Sequence, residues 1–165
     1  MKLYHGSTLV VNKPTIFDTQ RLLDFGNGFY TTTNKKQAED WALIKQKRVN
    51  INAHGIVSVY ELNYNVKKKE ASNIKIFKSA SEEWLDFIVS NRKGFNKHSY
   101  NIVQGPVAND TLYSTLLLYE NNILTKKETI VRLKTHKLFD QISFHNIEIL
   151  KNLHFIESYT LKERK

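Results

Sequence analysis

The chain has 165 residues, no cysteine, and 25 lysines and arginines against 16 aspartates and glutamates, a formal net charge of +9. That length holds one core and is short for two ordinary domains, so a single domain over residues 1–165 is expected. The lack of cysteine excludes a disulfide framework, a thiolate zinc site and a cysteine nucleophile. No run of roughly 20 apolar residues is present and no signal-like apolar region opens the chain, so a cytoplasmic protein with no membrane partner is expected.

The positive charge favours encounters with polyanions or anionic small molecules without naming one. Its lysines fall partly in runs, Lys35-Lys36, Lys67-Lys68-Lys69 and Lys126-Lys127. They read first as solvated faces, with a nucleic-acid patch as the competing reading.

Residues 2–7 predict a short strand that delivers His5 to a Pro14-containing loop running to Arg21. A second strand is expected over 28–33, where Gly26 and Gly28 permit a close backbone approach. Asn34 is a plausible cap for a helix from about Lys35 to Val49, with Ala38, Trp41 and Ala42 on one face. Residues 56–63 alternate as a strand, Val66 to Ala71 reads as a charged turn, and a shorter strand is expected over 74–77.

Ser81 followed by Glu82 and Glu83 predicts a capped helix to Arg92 that buries Trp84, Leu85, Ile88 and Val89. Lys93 to His98 reads as an exposed loop. A buried strand around Ile102-Val103 runs into Gly105-Pro106, and Asn109-Asp110 offer caps for a helix carrying Leu112, Leu116, Leu117 and Tyr119. A second helix after Thr125 is expected to place Lys126, Lys127, Lys134 and Lys137 outside, with Ile130, Val131 and Leu138 inside. Strand Asp140–His145, a short helix over 147–153 and a closing strand over 155–161 complete the chain. Strands do not alternate strictly with long helices, which favours an α+β fold over a doubly wound sheet.

Two familiar nucleotide motifs are excluded by context. Gly26-Asn27-Gly28 precedes a tyrosine strand instead of a helix, so a Rossmann reading fails, and there is no P-loop. His54, His98, His136, His145 and His154 lack metal-ligand spacing, so no metal is expected.

His5-Gly6-Ser7 together with Phe25-Gly26-Asn27-Gly28-Phe29-Tyr30, and the helix segment Gln37-Ala38 to Trp41-Ala42, resemble the ADP-ribosyltransferase superfamily. The likeness is to the His-Tyr-acid branch that includes the poly(ADP-ribose) polymerases and diphtheria toxin. The layout, with Gly105 to Asp110, also looks like a bacterial family of uncharacterised transferase-like proteins over nearly the whole chain. This resemblance implies a split mixed β-sheet core with an NAD cleft, flanked by helices.

It further implies a set of roles. His5 would hydrogen-bond a ribose of NAD on the adenosine or the nicotinamide side. The Gly6 backbone would pair with the nicotinamide carboxamide, Gly6 having no side chain to obstruct it, and Tyr30 would stack on the nicotinamide ring. Ser7 and Gly28 line the same segments, and Arg21 suits a pyrophosphate contact. The third element, usually a glutamate on a late strand, matches Gln141.

A glutamine can accept from the ribose 2′-hydroxyl but supplies no charge to an oxocarbenium-like transition state. Asp140 next to it points to the opposite face, whereas His145 shares the Gln141 face. Asn109 and Asp110 are the other polar groups that could come near. The resemblance therefore implies transfer of single ADP-ribose units to a protein or nucleic-acid acceptor, in a bacterial toxin, toxin–antitoxin or defence setting with an inhibitory partner protein. The alternatives are a degenerate NAD, ADP-ribose or nucleic-acid binding module, and an NAD glycohydrolase.

Overall fold

Asn34 and Ser81 each start a helix by accepting a backbone N–H three residues on: Gln37 N–H donates to Asn34 Oδ1 at 3.0 Å and Trp84 N–H to Ser81 Oγ at 3.2 Å. The computed structural model describes residues 1–17, 23–49, 53–63, 73–95, 98–107, 110–134 and 139–162, and of 110–112 the backbone alone. In chain order the elements are β1 (Lys2–Ser7), β2 (Phe29–Thr31), α1 (Lys35–Val49), β3 (Ile56–Leu62), β4 (Ile74–Ile76) and α2 (Glu82–Arg92). They continue with β5 (Ile102–Pro106), α3 (Asp110–Glu120), α4 (Lys126–Lys134), β6 (Asp140–Phe144), α5 (Ile147–Leu150) and β7 (Leu153–Thr160). At the start of α4, Thr125 N–H donates to Glu128 Oε2 at 2.8 Å and Glu128 N–H to Thr125 Oγ1 at 3.3 Å, a reciprocal capping box.

The strands form two sheets, and the fold is α+β. One has three strands in the order β1-β3-β7, all antiparallel; the other has four in the order β2-β6-β5-β4, in which only β4 and β5 run parallel. A single bridge joins them: Tyr4 N–H donates to Thr32 O at 2.9 Å and Thr32 N–H to Tyr4 O at 3.0 Å. On the outer strand β7, Val59 pairs with Glu157 and Tyr60 with Phe155, so Ile156 has no opposite number and forms a bulge.

Side-chain alternation sorts the apolar residues into clusters. Leu3, Phe29, Ile142, Phe144, Tyr60 and Leu62 pack between the sheets, and Phe25, Phe77, Trp84, Val103, Leu116 and Leu133 pack between the four-stranded sheet and helices α2, α3 and α4. A third, small cluster holds α1 to the three-stranded sheet through Ala38, Ala42 and Val57.

Some expectations needed correction. Val131, expected inside α4, is 60% exposed, and Leu117 of α3 is also exposed, because the buried stripe of this helix pair runs through Leu116, Ile130 and Leu133. His98, read as part of an exposed loop, is half-buried and donates to a main-chain carbonyl. The Val66–Ala71 turn, Arg21, Asn109, His136, Lys137 and Leu138 lie outside the described residues.

Candidate functional site

The bridge at Tyr4 fixes which way Gly6 faces. Peptide groups in a strand alternate between its edges, so the Gly6 N–H and C=O leave β1 on the edge that Tyr4 turns toward β2. A regular ladder would pair Gly6 with Tyr30 next. Instead the His5 ring reaches across, its Nδ1 2.6 Å from Tyr30 O, and the Gly6 carbonyl accepts from Lys45 Nζ of α1 at 2.7 Å. With those two groups taken by side chains, β1 and β2 part beyond one bridge.

His5 is neutral there. Burial, with the positive charge of Lys45 added, lowers its pKa to about 3 against the opposing pull of the Tyr30 carbonyl. A carbonyl only accepts, so Nδ1 carries the proton and Nε2 is an acceptor. The ring stacks on Phe29 with centroids 4.6 Å apart. Among the described residues Nε2 has no hydrogen-bond partner.

Tyr30 is adjacent through its main chain, but its side chain takes the other face. The Tyr30 hydroxyl donates to Gly26 O at 2.5 Å and accepts from Phe25 N–H at 3.2 Å, closing the turn that precedes β2. Burial, and then the charge of Asp24, pushes its pKa well above the usual phenol value. Two histidines complete this clamp. Tyr100 N–H donates to His98 Nδ1 at 3.2 Å, which leaves His98 Nε2–H to donate to Phe25 O at 2.7 Å. His145 Nδ1–H donates to Asn27 O at 2.6 Å while its Nε2 lies 2.8 Å from the Ser143 hydroxyl. Three successive carbonyls, of Phe25, Gly26 and Asn27, are thus each held by a side chain from elsewhere.

Register places Gln141 opposite Gly105 on β6, on the same face as Ser143 and, across β2, Tyr30. His5 shares the opposite face with Leu3 and Phe29. The structure therefore joins His5 to Tyr30 by a direct hydrogen bond and sets Gln141 further along the Tyr30 side of the sheet. Asp140 does not share the Gln141 face: it accepts from Thr33 Oγ1 at 2.7 Å and Thr32 Oγ1 at 3.3 Å, tying the end of β2 to β6.

The glycines are explained by packing. A Cβ on Gly6 would lie 2.1 Å from Ala38 O and 2.8 Å from Ala42 N, so its bareness lets α1 seat on β1. At Gly28 the same atom would meet His145 Nδ1 and Phe144 O, both at 2.8 Å. Gly26 adopts φ +83°, the left-handed region glycine favours.

Sequence reading missed Lys45, whose charge bears on His5 from a helix 40 positions on, and the His98 and His145 clamp, whose acceptors are main-chain carbonyls without side-chain signature. It also gave no sign of a cavity of about 550 Å³ at the head of β6, lined by Lys78, Gln104, Gly105, Lys134, Phe139 and Asp140 among others. Among the described residues no three histidines or carboxylates converge to hold a metal ion, and no helix is long and apolar enough to cross a membrane.

The fold and site define a two-sheet α+β protein whose sheets part at a neutral, half-buried histidine. The family model described as a protein of unknown function, DUF3990, matches residues 1–155, and the chain belongs to that family. No curated protein and no solved structure matches the chain.

Proposed function

We propose that the protein is an NAD-dependent mono-ADP-ribosyltransferase acting on a macromolecular acceptor. The observation that carries this reading is the parting of β1 and β2 at His5, whose ring spans to Tyr30 O through Nδ1 and keeps Nε2 as an acceptor, beside the Gly6 peptide group on the edge toward β2. A ribose hydroxyl would donate to His5 Nε2, and the carboxamide of nicotinamide would accept from Gly6 N–H and share its carbonyl with Lys45. Tyr30 and Gln141 lie on the other face of the sheet from His5, so they would reach the ligand only through that gap, Tyr30 offering its ring to the nicotinamide and Gln141 its amide oxygen to the ribose 2′-hydroxyl.

In the step itself, a nucleophile of the acceptor attacks C1′ of the ribose and the C1′–N bond breaks. Nicotinamide leaves neutral with the bonding pair, and the proton of the nucleophile passes to solvent. Positioning dominates such a reaction, since the neutral Gln141 adds no ionic stabilisation to the oxocarbenium-like state. The same neutrality supports a second reading, a module that binds NAD or ADP-ribose without turnover; hydrolysis, with water as acceptor, uses the same residues. A bacterial toxin or defence role with an inhibitory partner belongs to the first reading.

Labelled NAD incubated with the purified protein and a cell lysate separates these. Transfer gives nicotinamide release with label on protein, RNA or DNA in single units, and release without label means hydrolysis. Bound NAD with neither release nor label would sink the enzyme reading. His5→Ala and Tyr30→Phe should weaken NAD binding, Gln141→Ala should slow turnover, and Gln141→Glu should raise it.

A further inference from the structure

The contact between β4 and β5 is the one parallel pairing among the described strands, and ligands of open sheets gather beyond the carboxyl ends of parallel strands. The 550 Å³ cavity lies there. Its lining is buried at Phe77 and Pro106, half-buried at Phe139, and exposed at Lys78 and Lys134, so an apolar interior opens between two ammonium groups.

Lys134 also ends a row. Lys127, Val131 and Lys134 stand at i, i+4 and i+7 on α4, all exposed, and span about 10 Å of helix. Around the far end of that row is a second concavity, of about 480 Å³, lined by Thr125, Lys127, Glu128, Val131 and Arg132. Neighbouring lysines are neutralised, Lys75 by Glu83 and Lys126 by Asp86. Lys78, Lys127 and Lys134 have no carboxylate partner among the described residues.

We propose that this face binds single-stranded nucleic acid, with phosphates along Lys127 and Lys134 and one unstacked base in the cavity between Lys134 and Lys78. A row of lysines leading into an apolar hollow suits a chain of regularly spaced anions that carries flat rings, and a base can enter the hollow only when it is out of a duplex. An acidic peptide fits less well, because Asp140 inside the cavity would repel a carboxylate there, where a nucleic acid would place an uncharged base. Asp140 Oδ1 is taken by the Thr32 and Thr33 hydroxyls, whereas Oδ2 has only a 3.4 Å contact with Thr33 N–H and can accept from the exocyclic amino group of a base.

The bound base would lie next to the proposed catalytic strand: Gly105 is the cross-strand partner of Gln141 and Asp140 is its chain neighbour, and both line the cavity. That this strand of nucleic acid is the acceptor of ADP-ribose rests on the transferase reading. Its binding does not.

Fluorescence anisotropy of the full chain without NAD tests the binding, using a short labelled single strand of mixed sequence, its duplex, and a polyglutamate peptide of equal length. The single strand should bind tightest. Combined Lys78→Ala, Lys127→Ala and Lys134→Ala should weaken it about tenfold or more and flatten the log–log salt slope by about 1.4, roughly 0.7 for each of the two lost phosphate contacts. Lys47→Ala with Arg48→Ala, exposed on α1 and remote from the cavity, should cost less than about twofold. Preference for the duplex or the peptide, or equal losses in the two sets of variants, would overturn the proposal. Nicotinamide release without nucleic acid reads the NAD activity separately, so failure of one is not mistaken for failure of the other.

Discussion

His5 on β1 and His145 just after β6 each hold a main-chain carbonyl with Nδ1–H at 2.6 Å, and burial is the leading reason that each is neutral. They differ at the second nitrogen. In His145 it meets the Ser143 hydroxyl, so both ends of the ring are spent on pinning the turn before β2 to β6. In His5 it remains an acceptor without a partner among the described residues. Two rings with the same tautomer and the same kind of first bond therefore differ in what they leave open: one has both ends tied into the fold, and the other keeps an acceptor to spare.

The sharpest break of that comparison comes from two glycines, Gly6 next to His5 in β1 and Gly28 against the His145 ring. Gly6→Ala drives a methyl into the backbone of α1, and a loss beyond about 3 kcal/mol in urea unfolding is expected, since neither strand nor helix can retreat cheaply. Gly28→Ala meets His145 and the Phe144 carbonyl, and a loss of about 3 kcal/mol, smaller than at Gly6, is expected because one of its two neighbours is a side chain. If Gly28→Ala were the worse of the two, the β1–α1 contact would be the softer region.

Next in size is exchange of the histidines. His145→Ala leaves Asn27 O and the Ser143 hydroxyl without that partner and should cost about 2–4 kcal/mol, whereas His5→Ala orphans one carbonyl and should cost about 1–2. For NAD affinity the order should reverse, with His5→Ala the more damaging when measured by calorimetry. Equal effects of both variants on stability and on affinity would erase the distinction.

Acid gives a smaller and graded effect. Burial, and after it the charge of His98, lowers the His145 pKa from 6.5 to about 4, with the Asn27 carbonyl opposing. The unfolded chain therefore binds this proton first, so stability is full above pH 6.5, falls as pH drops from there to about 4, and levels off below for this group; His5 extends the fall toward pH 3. Urea midpoints at pH 7, 5 and 4 should decline, and less so in a His145→Gln variant. The smallest expected change is Gln141→Glu, within about 0.5 kcal/mol of the parent in stability while altering nicotinamide release.

Short-range signals are the legible ones in this chain. Asn34 and Ser81 cap their helices, the strand at 56–63 appears as Ile56–Leu62, and Gly28 sits where the backbone of Phe144 passes closely, whereas Gly26 is set by its positive φ. The faces of α3 and α4 are less legible, since Val131 and Leu117 are apolar in sequence yet the bundle turns them outward. His98 and His145 are hidden for a different reason: their partners lie 73 and 118 residues away and are carbonyls that every residue possesses. The reason for Gly6 is likewise invisible, because nothing in the chain announces that α1 will rest directly on it.

The bulge at Ile156 has a consequence for how the protein behaves in concentrated solution. β7 is a long outer strand with Phe155 and Ile156 exposed, the kind of border along which copies can stack into open-ended ribbons. One extra residue in its middle throws the outward peptide groups out of step, so a straight guest strand can match half of the border and not the whole. Deleting Ile156 would straighten that border and remove this obstacle to edge-to-edge stacking.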